Sequence, residues 1–398
     1  MQVLEVLHRN RQMTRSDIAR CIGVNLTSVV RVVAGLVERN LVVANDRDEK
    51  RQRGRPSDLL TINPQAGYVV GLEYGRDHLI GVVVNAVGDV VVHEQVARPP
   101  AFETSPATTE GLAAAVFDIT EKHGFDARSI KGVGIALHDV VDVHGAWATQ
   151  DDPSATPFPV RDQLSARLGK FVFVEDVSRA FAFAEHEYGA GVGCSDMIYM
   201  FLGSHGVGGG IFVNDRMLIS STGLCGEIGH VIVDEAGELC QCGSRGCLET
   251  VASPERIVKQ FEAYERQGVA TSLRGAARLS FASICSAAGA GDKAALLALH
   301  PVATAMARAL APVVNVTGAR VVVIGGRLRL AGDIFLSELS AGLRRRVIAG
   351  LAKHLSIRFA QLPEHAGAWG AANQALSAAW ERGEFLPSVS REIDAAAP

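Results

Sequence analysis

The sequence predicts an α/β protein of two lobes, each with a mixed sheet and helices, preceded by a small helical module carrying a β-hairpin. Three observations point there. A chain of 398 residues exceeds what one small core organises and implies two or three domains. From Tyr68 onward, short apolar runs of strand length alternate with helical stretches, the pattern of layered α/β architectures. The first sixty residues instead show helical spacing broken at a glycine.

Residues 3 to 9 read as a short helix, and Thr14 opens a second that runs through Asp17, Ile18 and Ala19. Cys21-Ile22-Gly23-Val24 forms the next turn, after which Asn25 is placed to cap a third helix, whose Val29, Val32, Val33, Leu36 and Val37 recur at helical spacing. Helix, glycine turn and helix make the helix-turn-helix, whose second helix enters the major groove. Its outward face presents Leu26, Thr27, Ser28 and Arg31, with Arg31 suited to a guanine edge or a phosphate. Residues 41 to 43 and 59 to 62 are expected to pair as a wing. Between them lies a basic segment, residues 50 to 56, whose Arg-Gly-Arg-Pro resembles a minor-groove hook. Arg53 and Arg55 therefore join Thr27, Ser28 and Arg31 as candidate DNA contacts, a solvated linker being the alternative. Charge divides the same way: residues 1 to 58 hold eleven Lys or Arg against seven Asp or Glu, a net +4, leaving −8 on the remainder. A basic module on an acidic body is the electrostatic footprint of nucleic-acid contact.

In the body, strands are expected at 68 to 72, 79 to 84 and 90 to 95, then a helix at 108 to 122 and a strand at 132 to 137. The apolar strand 171 to 174 leads to Asp176 and a helical stretch 178 to 188, so Asp176 is placed to cap that helix. A second set begins near Asp196, with strands at 197 to 202, 210 to 213 and 321 to 324, the last ending in Gly325-Gly326. The expected domains are a winged helix-turn-helix at 1–62, a first lobe at 63–185 completed by a C-terminal helix near 366–382, and a second lobe at 186–365.

The most chemically specific stretch lies in that second lobe. His230, Cys240, Cys242 and Cys247 supply four ligands, enough to close a tetrahedral structural zinc site with no position left for water. Gly243 and Gly246 sit between them, where a tight loop needs positive φ or close backbone approach. A disulfide with a spare thiol is the alternative. Glu227 and Glu249 interleave with the ligands, yet a closed site does not need them, so they are available to another ligand. Cys21, Cys194, Cys225 and Cys285 are scattered singly and read as buried small hydrophobes. With no run of about 18 uncharged apolar residues and no signal-peptide pattern, the chain is expected to be cytoplasmic, without a membrane partner.

Glu-Ile-Gly-His at 227 to 230, Cys-x-Cys-Gly-x-x-Gly-Cys-Leu-Glu at 240 to 249, the Gly-Val-Gly-Gly-Gly run at 206 to 210 and the winged module in front together resemble the ROK family, in its transcriptional-regulator branch. That family comprises bacterial repressors and sugar kinases on the actin-like, hexokinase-like fold, and the resemblance covers essentially the whole chain. It implies a sugar in the cleft between lobes, held at positions that match Asp176, Glu227, His230 and Glu249. Glu175 stands where the family commonly has Asn beside the Asp. Carboxylates accept hydrogen bonds from adjacent hydroxyls, and an imidazole can ligate zinc through one nitrogen and donate through the other.

A kinase of this family needs an Asp-x-Gly-Gly-Thr turn for Mg²⁺ and phosphates, and the matching residues are Glu73-Tyr74-Gly75-Arg76-Asp77. Arg76 obstructs close backbone approach and Asp77 adds repulsive charge. After the strand at 132 to 137 the family continues with Pro-Gly, whereas this chain reads His138-Asp139, which puts bulky polar groups near the ligand. Gly206, Gly208, Gly325 and Gly326 are where a nucleotide would approach, although tight strand ends require glycine as well. The expected function is a non-catalytic, sugar-responsive regulator, a repressor of carbohydrate uptake or catabolism genes. It would bind operator DNA as a homodimer or tetramer, with structural zinc and without ATP or Mg²⁺. The alternative is an ATP-dependent hexose or amino-sugar kinase with Asp176 as general base.

Overall fold

The computed structural model describes residues 2–45, 58–98, 103–148, 156–203, 206–276, 279–363 and 365–386. The basic segment with Arg53 and Arg55 lies outside the described residues. The chain begins with helices α1 (Gln2–Asn10), α2 (Arg15–Ile22) and α3 (Leu26–Glu38). Thr14 caps α2: its hydroxyl accepts from the Asp17 amide at 3.2 Å and donates to the Asp17 carboxylate at 2.7 Å. Gly23 ends that helix at φ 70°, a left-handed turn that favours glycine. Asn25 then caps α3, accepting from the Ser28 amide at 2.8 Å. The two helices are bent by 116° at this turn, within the helix-turn-helix range. Val29, Val33 and Leu36 form the buried stripe of α3, whereas Val32 and Val37 are 46% and 40% exposed. At roughly 100° per residue those two fall about 70° either side of the stripe's centre, at the margins of what one face can bury. Strands β1 (Val42–Asn45) and β2 (Leu59–Ile62) pair antiparallel, with Val42 opposite Ile62, and complete the wing.

The first large sheet comprises β3 (Tyr68–Tyr74), β4 (Leu79–Asn85), β5 (Val90–Gln95) and, after α4 (Pro106–Lys122), β6 (Ile130–Leu137). A short hairpin, β7 (Val140–Val141) with β8 (Trp147–Ala148), precedes α5 (Val160–Leu168), and β9 (Val172–Asp176) completes the sheet in the order β5-β4-β3-β6-β9. β3 and β4 are buried at nearly every position, as strands covered on both faces must be. Next come α6 (Val177–Tyr188), β10 (Met197–Leu202), β11 (Val207–Val213), β12 (Arg216–Met217), α7 (Leu248–Ala252), α8 (Pro254–Arg266) and α9 (Phe281–Gly289). The chain ends with α10 (Lys293–Thr317), β13 (Val321–Gly326), α11 (Gly332–Arg344), α12 (Ala349–Ala352), β14 (Ser356–Phe359) and α13 (Ala366–Glu381). The second sheet runs β12-β11-β10-β13-β14, and β10, β13 and β14 are parallel. By length and composition α10 could cross a membrane, yet most of it is buried, and its alanines pack in the core beneath this sheet.

Packing groups the chain into two units. One holds Met1–His138, Phe158–Glu175 and Ala368–Pro398; the other holds Asp139–Pro157 and Asp176–Gly367. This grouping differs from the chain-order partition at 185/186, because Asp176 opens the second unit and residues 139–157 belong with it. Within the first unit the core of the winged module is continuous with that of the sheet and its helices. Leu4, Leu7, Val33 and Ile62 belong to one continuous cluster with Val69, Val82, Ala372 and Trp380. Along α1, His8 Nε2 lies 3.3 Å from Ser377 Oγ on α13, and Arg11 donates to the Val87 carbonyl at 2.6 Å. Trp380 stacks on Phe385 at 3.7 Å and donates its indole N–H to the Ala86 carbonyl.

Of the four scattered cysteines only Cys285 is fully buried. Cys21 is exposed and Cys194 and Cys225 are partly so, because each sits at or beside a turn and not on a packed face. The cap geometry gives a local expectation: Asn25→Ala should lower protection of the α3 amides against hydrogen exchange by about 1 kcal/mol, and Asn25→Asp should retain it. Equal protection in all three proteins would contradict the cap's role.

A carboxylate cluster beside a candidate metal centre

His230 ends a single 3-10 turn, Ile228–His230, and the three cysteines lie on the loop that follows. The four ligand atoms all fall within 4.8 Å of one another. His230 Nδ1 stands 3.6 Å from Cys240 Sγ, and Cys242 and Cys247 Sγ are 3.7 Å apart. Four ligands around a tetrahedral zinc, with Zn–S of about 2.3 Å and Zn–N of about 2.0 Å, stand about 3.6 Å (N to S) and about 3.8 Å (S to S) apart. The donor set therefore fits a zinc-sized thiophilic ion. Gly243 and Gly246 have φ of 87° and 71°, and a Cβ at Gly246 would fall 1.6 Å from the Asp234 carbonyl oxygen. At Gly246 no side chain can be accommodated. Burial, reinforced by Cys242 and Cys240, pushes the Cys247 thiol up to about 12. A bound divalent cation reverses that preference and holds the thiolate. Because Nδ1 faces the cysteines, Nε2 of His230 is directed to the other side of the ring.

The carboxylates of the same unit gather around the start of α6. Asp176 is the N-cap of that helix: one oxygen accepts from the Ser178 amide at 2.8 Å and the Arg179 amide at 3.2 Å. Burial pushes its pKa up to about 6, against the pull of Arg179 and with the push of Glu227. Glu227 is raised too, by burial and by Glu249, again against Arg179. Glu249 in turn accepts from the Val207 amide at 3.2 Å, and a Cβ at Gly206 would lie 3.1 Å from its carboxylate. Asp176 and Glu227 thus share the buried guanidinium of Arg179, and Glu249 adds its charge beside Glu227. Arg179, 4% exposed, donates to the carbonyls of Gly223 (2.9 Å), Cys225 (3.4 Å) and Val141 (3.2 Å), tethering the segment that delivers Glu227. Sequence reasoning missed Arg179. Its signal was its place three residues after a capping Asp, where an arginine turned inward must find buried acceptors.

The remaining candidates fall elsewhere. Glu175, one residue before Asp176 on β9, projects to the opposite face; it is buried, with Gln374 of α13 donating to it at 3.5 Å. Asp139 accepts from the Trp147 indole at 3.0 Å, and His138 faces Glu73 at 3.0 Å. Both polar groups after β6 are therefore engaged in local packing. The glycines have steric reasons. A Cβ at Gly208 would fall 1.9 Å from Ser178 Oγ, one at Gly325 2.0 Å from the Tyr199 hydroxyl, and one at Gly326 2.2 Å from the Leu202 carbonyl. Thr27, Ser28 and Arg31 are exposed on α3, as a groove-reading face requires.

These features define a class: an α/β protein with a carboxylate cluster next to a cysteine-rich loop, fronted by a winged helix-turn-helix. The ROK family model matches residues 69–378, and a MarR family model matches residues 1–52. The chain belongs to the ROK family, with the actin-like, hexokinase-like fold and an N-terminal winged helix. It is 26% identical to the xylose repressor of Caldicellulosiruptor bescii, over 94% of each chain. It is 34% identical to a glucokinase of Thermotoga maritima, over 54% of this chain and 69% of that one. A crystal structure of a ROK family transcriptional regulator, homologous to the Escherichia coli Mlc protein, superposes with a TM-score of 0.83 at 23% identity, covering 96% of this chain and 97% of that one.

The raised pKa of Asp176 has a definite sign. Above about 6 the folded state carries the cost of an ionised, crowded carboxylate, and below the unfolded value near 3.8 neither state does. This contribution to stability therefore falls as pH rises from about 4 to about 6. Asp176→Asn keeps a capping oxygen and should make the protein more stable than the parent at pH 7, with the gain shrinking toward pH 4 in denaturant titrations. A pH-independent difference would refute it.

Proposed function

We propose that this protein is a sugar-responsive transcriptional regulator, a repressor of carbohydrate uptake or catabolism genes that works in the cytoplasm as a homo-oligomer. Its α3 enters the major groove of operator DNA with Thr27, Ser28 and Arg31 forward, assisted by Arg53 and Arg55 in an adjacent minor groove. A sugar or sugar derivative binds at Asp176, Glu227, Glu249 and Nε2 of His230. One zinc ion, held by His230, Cys240, Cys242 and Cys247, shapes that wall of the site. The observation that carries this reading is the presence in one chain of a capped, outward-facing helix and a chain of carboxylates, Asp176 and Glu227 beside Arg179 and Glu249 beside Glu227. Carboxylates that share one cation are strong acceptors for vicinal hydroxyls, the chemistry by which a polyol is held. The names of the relatives agree, since the Caldicellulosiruptor protein is a xylose repressor.

Ligand binding shifts the DNA-competent population through differential affinity for two states, with about 1 to 3 kcal/mol sufficing. Asp176→Ala should leave operator affinity within about twofold and abolish the response to sugar, read by gel shift at fixed salt across a panel of pentoses, hexoses, amino sugars and their phosphates. Retention of the full response in that variant would sink the assignment.

The second reading, a sugar kinase with Asp176 as general base, is favoured by the glucokinase relative. Against it stand Arg76 and Asp77 in the phosphate turn and the engagement of Glu73 by two histidines. Sugar-dependent ADP release with ATP and Mg²⁺ would overturn the regulator as a non-catalytic protein.

The zinc assignment has its own measurement. A thiol-competing chelator should remove the loop's ion and lower the melting temperature, and Cys247→Ser should reproduce that loss. An unchanged melting curve after verified metal removal would contradict a structural ion.

A further inference from the structure

A second cluster of metal-ligating side chains lies in the first unit, far along the chain from the cysteine loop. Glu73 in β3, His78 at the turn into β4 and His138 just after β6 bring three ligand atoms within 4.8 Å of one another. His78 Nε2 is 3.2 Å and His138 Nε2 3.0 Å from the same Glu73 oxygen, Oε1. The two rings meet edge to face, with centroids 5.1 Å apart. Glu73 is 3% exposed. Its other oxygen, Oε2, is buried without a hydrogen-bond partner among the described residues.

Hydrogen bonding alone accounts poorly for this arrangement. A carboxylate oxygen shut away from water costs about 1 to 3 kcal/mol when nothing satisfies it, yet here two donors converge on one oxygen and leave its twin bare. His78 carries a carboxylate oxygen at each ring nitrogen, Glu73 at Nε2 and Asp77 at Nδ1, the latter 2.8 Å away. An ion on the Nε2 side would satisfy the oxygen that hydrogen bonding leaves bare. It takes Nε2 of each histidine and one or both Glu73 oxygens, while Nδ1–H of His78 donates to Asp77 in the carboxylate–histidine–metal arrangement that orients such ligands. Ligands about 2.1 Å from a common ion lie about 3.0 to 3.4 Å apart in octahedral or tetrahedral geometry, as the two N···O distances do. Backbone shape serves the same end: a Cβ at Gly75 would fall 2.5 Å from Cε1 of His78, so glycine is what lets the ring lie over this turn.

We infer that Glu73, His78 and His138 form a second metal site for a first-row divalent transition ion, zinc foremost. Two imidazoles and one carboxylate select against Mg²⁺ and Ca²⁺, which prefer all-oxygen shells. Three protein ligands leave at least one coordination position for water or a ligand oxygen, unlike the closed set on the cysteine loop. The ion ties the β3–β4 turn to His138, the last residue before the chain passes into the second unit.

Cobalt(II) distinguishes the two sites, because only the cysteine loop gives intense thiolate-to-metal charge transfer. Full-length protein, stripped and titrated with Co²⁺ under reducing conditions, should bind two equivalents, one with that near-ultraviolet band and one with weak visible bands alone. Glu73→Gln and His138→Ala should each lose the thiolate-free equivalent and keep the other; Cys247→Ser should do the reverse. Where a buried substitution fails to fold by circular dichroism, His78→Ala at a partly exposed position takes its place. As a check without stripping, zinc content after equilibrium dialysis should be two per chain in the parent and one in Glu73→Gln. Absence of the thiolate-free equivalent in the parent, or its persistence in the Glu73 and His78 variants, would overturn the inference, whatever happens at the cysteine loop.

Discussion

The second unit is organised around the carboxylate of Asp176. It satisfies two amides at the start of α6, a role that needs a short side chain with an acceptor oxygen, and the same group stands at the centre of the carboxylate cluster. Two amide contacts at the helix start hold that oxygen in place. Crowding it against Glu227 and then burying both makes ionisation costly, and Arg179 offsets part of that cost from three residues away. The guanidinium cannot leave, since its other N–H groups hold the carbonyls of Gly223, Cys225 and Val141. The observed cap is compatible with the proposed role as ligand acceptor, because the second carboxylate oxygen takes no part in the two amide contacts of the cap.

Much of the fold was legible because local chemistry and global packing agree. Thr14, Gly23 and Asn25 announce the helix-turn-helix by cap and turn preferences that act within four residues. The strands at 68–74, 79–85 and 197–202 announce themselves by apolar runs too short for helices and too continuous for an exposed face. Gly243 and Gly246, read as metal-loop glycines, have the positive φ such a loop demands. What stayed hidden depends on long-range partners. Val32 and Val37 fit the helical period yet lie at the margins of the buried stripe, and only the packed module fixes where that stripe ends. Arg179 reads as one more surface arginine until its acceptors, up to 46 residues away, are in place. Glu73, His78 and His138 are scattered over 65 residues, and a parallel pairing of β3 with β6 is what brings them together.

The departures from the kinase pattern gain a physical meaning from that same cluster. At the turn after β3, a kinase needs open backbone and an uncommitted carboxylate for metal-bound phosphates. Here the ring of His78 lies over Gly75, and Glu73 is already engaged by two imidazoles. Asp77 adds repulsive charge at this turn, and the two imidazoles take the carboxylate that a metal-bound phosphate would need.

The continuous core that runs from α1 through β2 to Trp380 makes the winged module a component of the body and not a passenger on a linker. Chains assembled by fusing separable parts can exchange them. This one cannot do so cleanly, since its core is continuous with that of the body and His8 and Arg11 reach Ser377 and the Val87 carbonyl. On the proposed reading, new operator specificity evolves more readily by substitution on the outer face of α3, at exposed positions such as Thr27, Ser28 and Arg31, than by the exchange of whole modules between relatives.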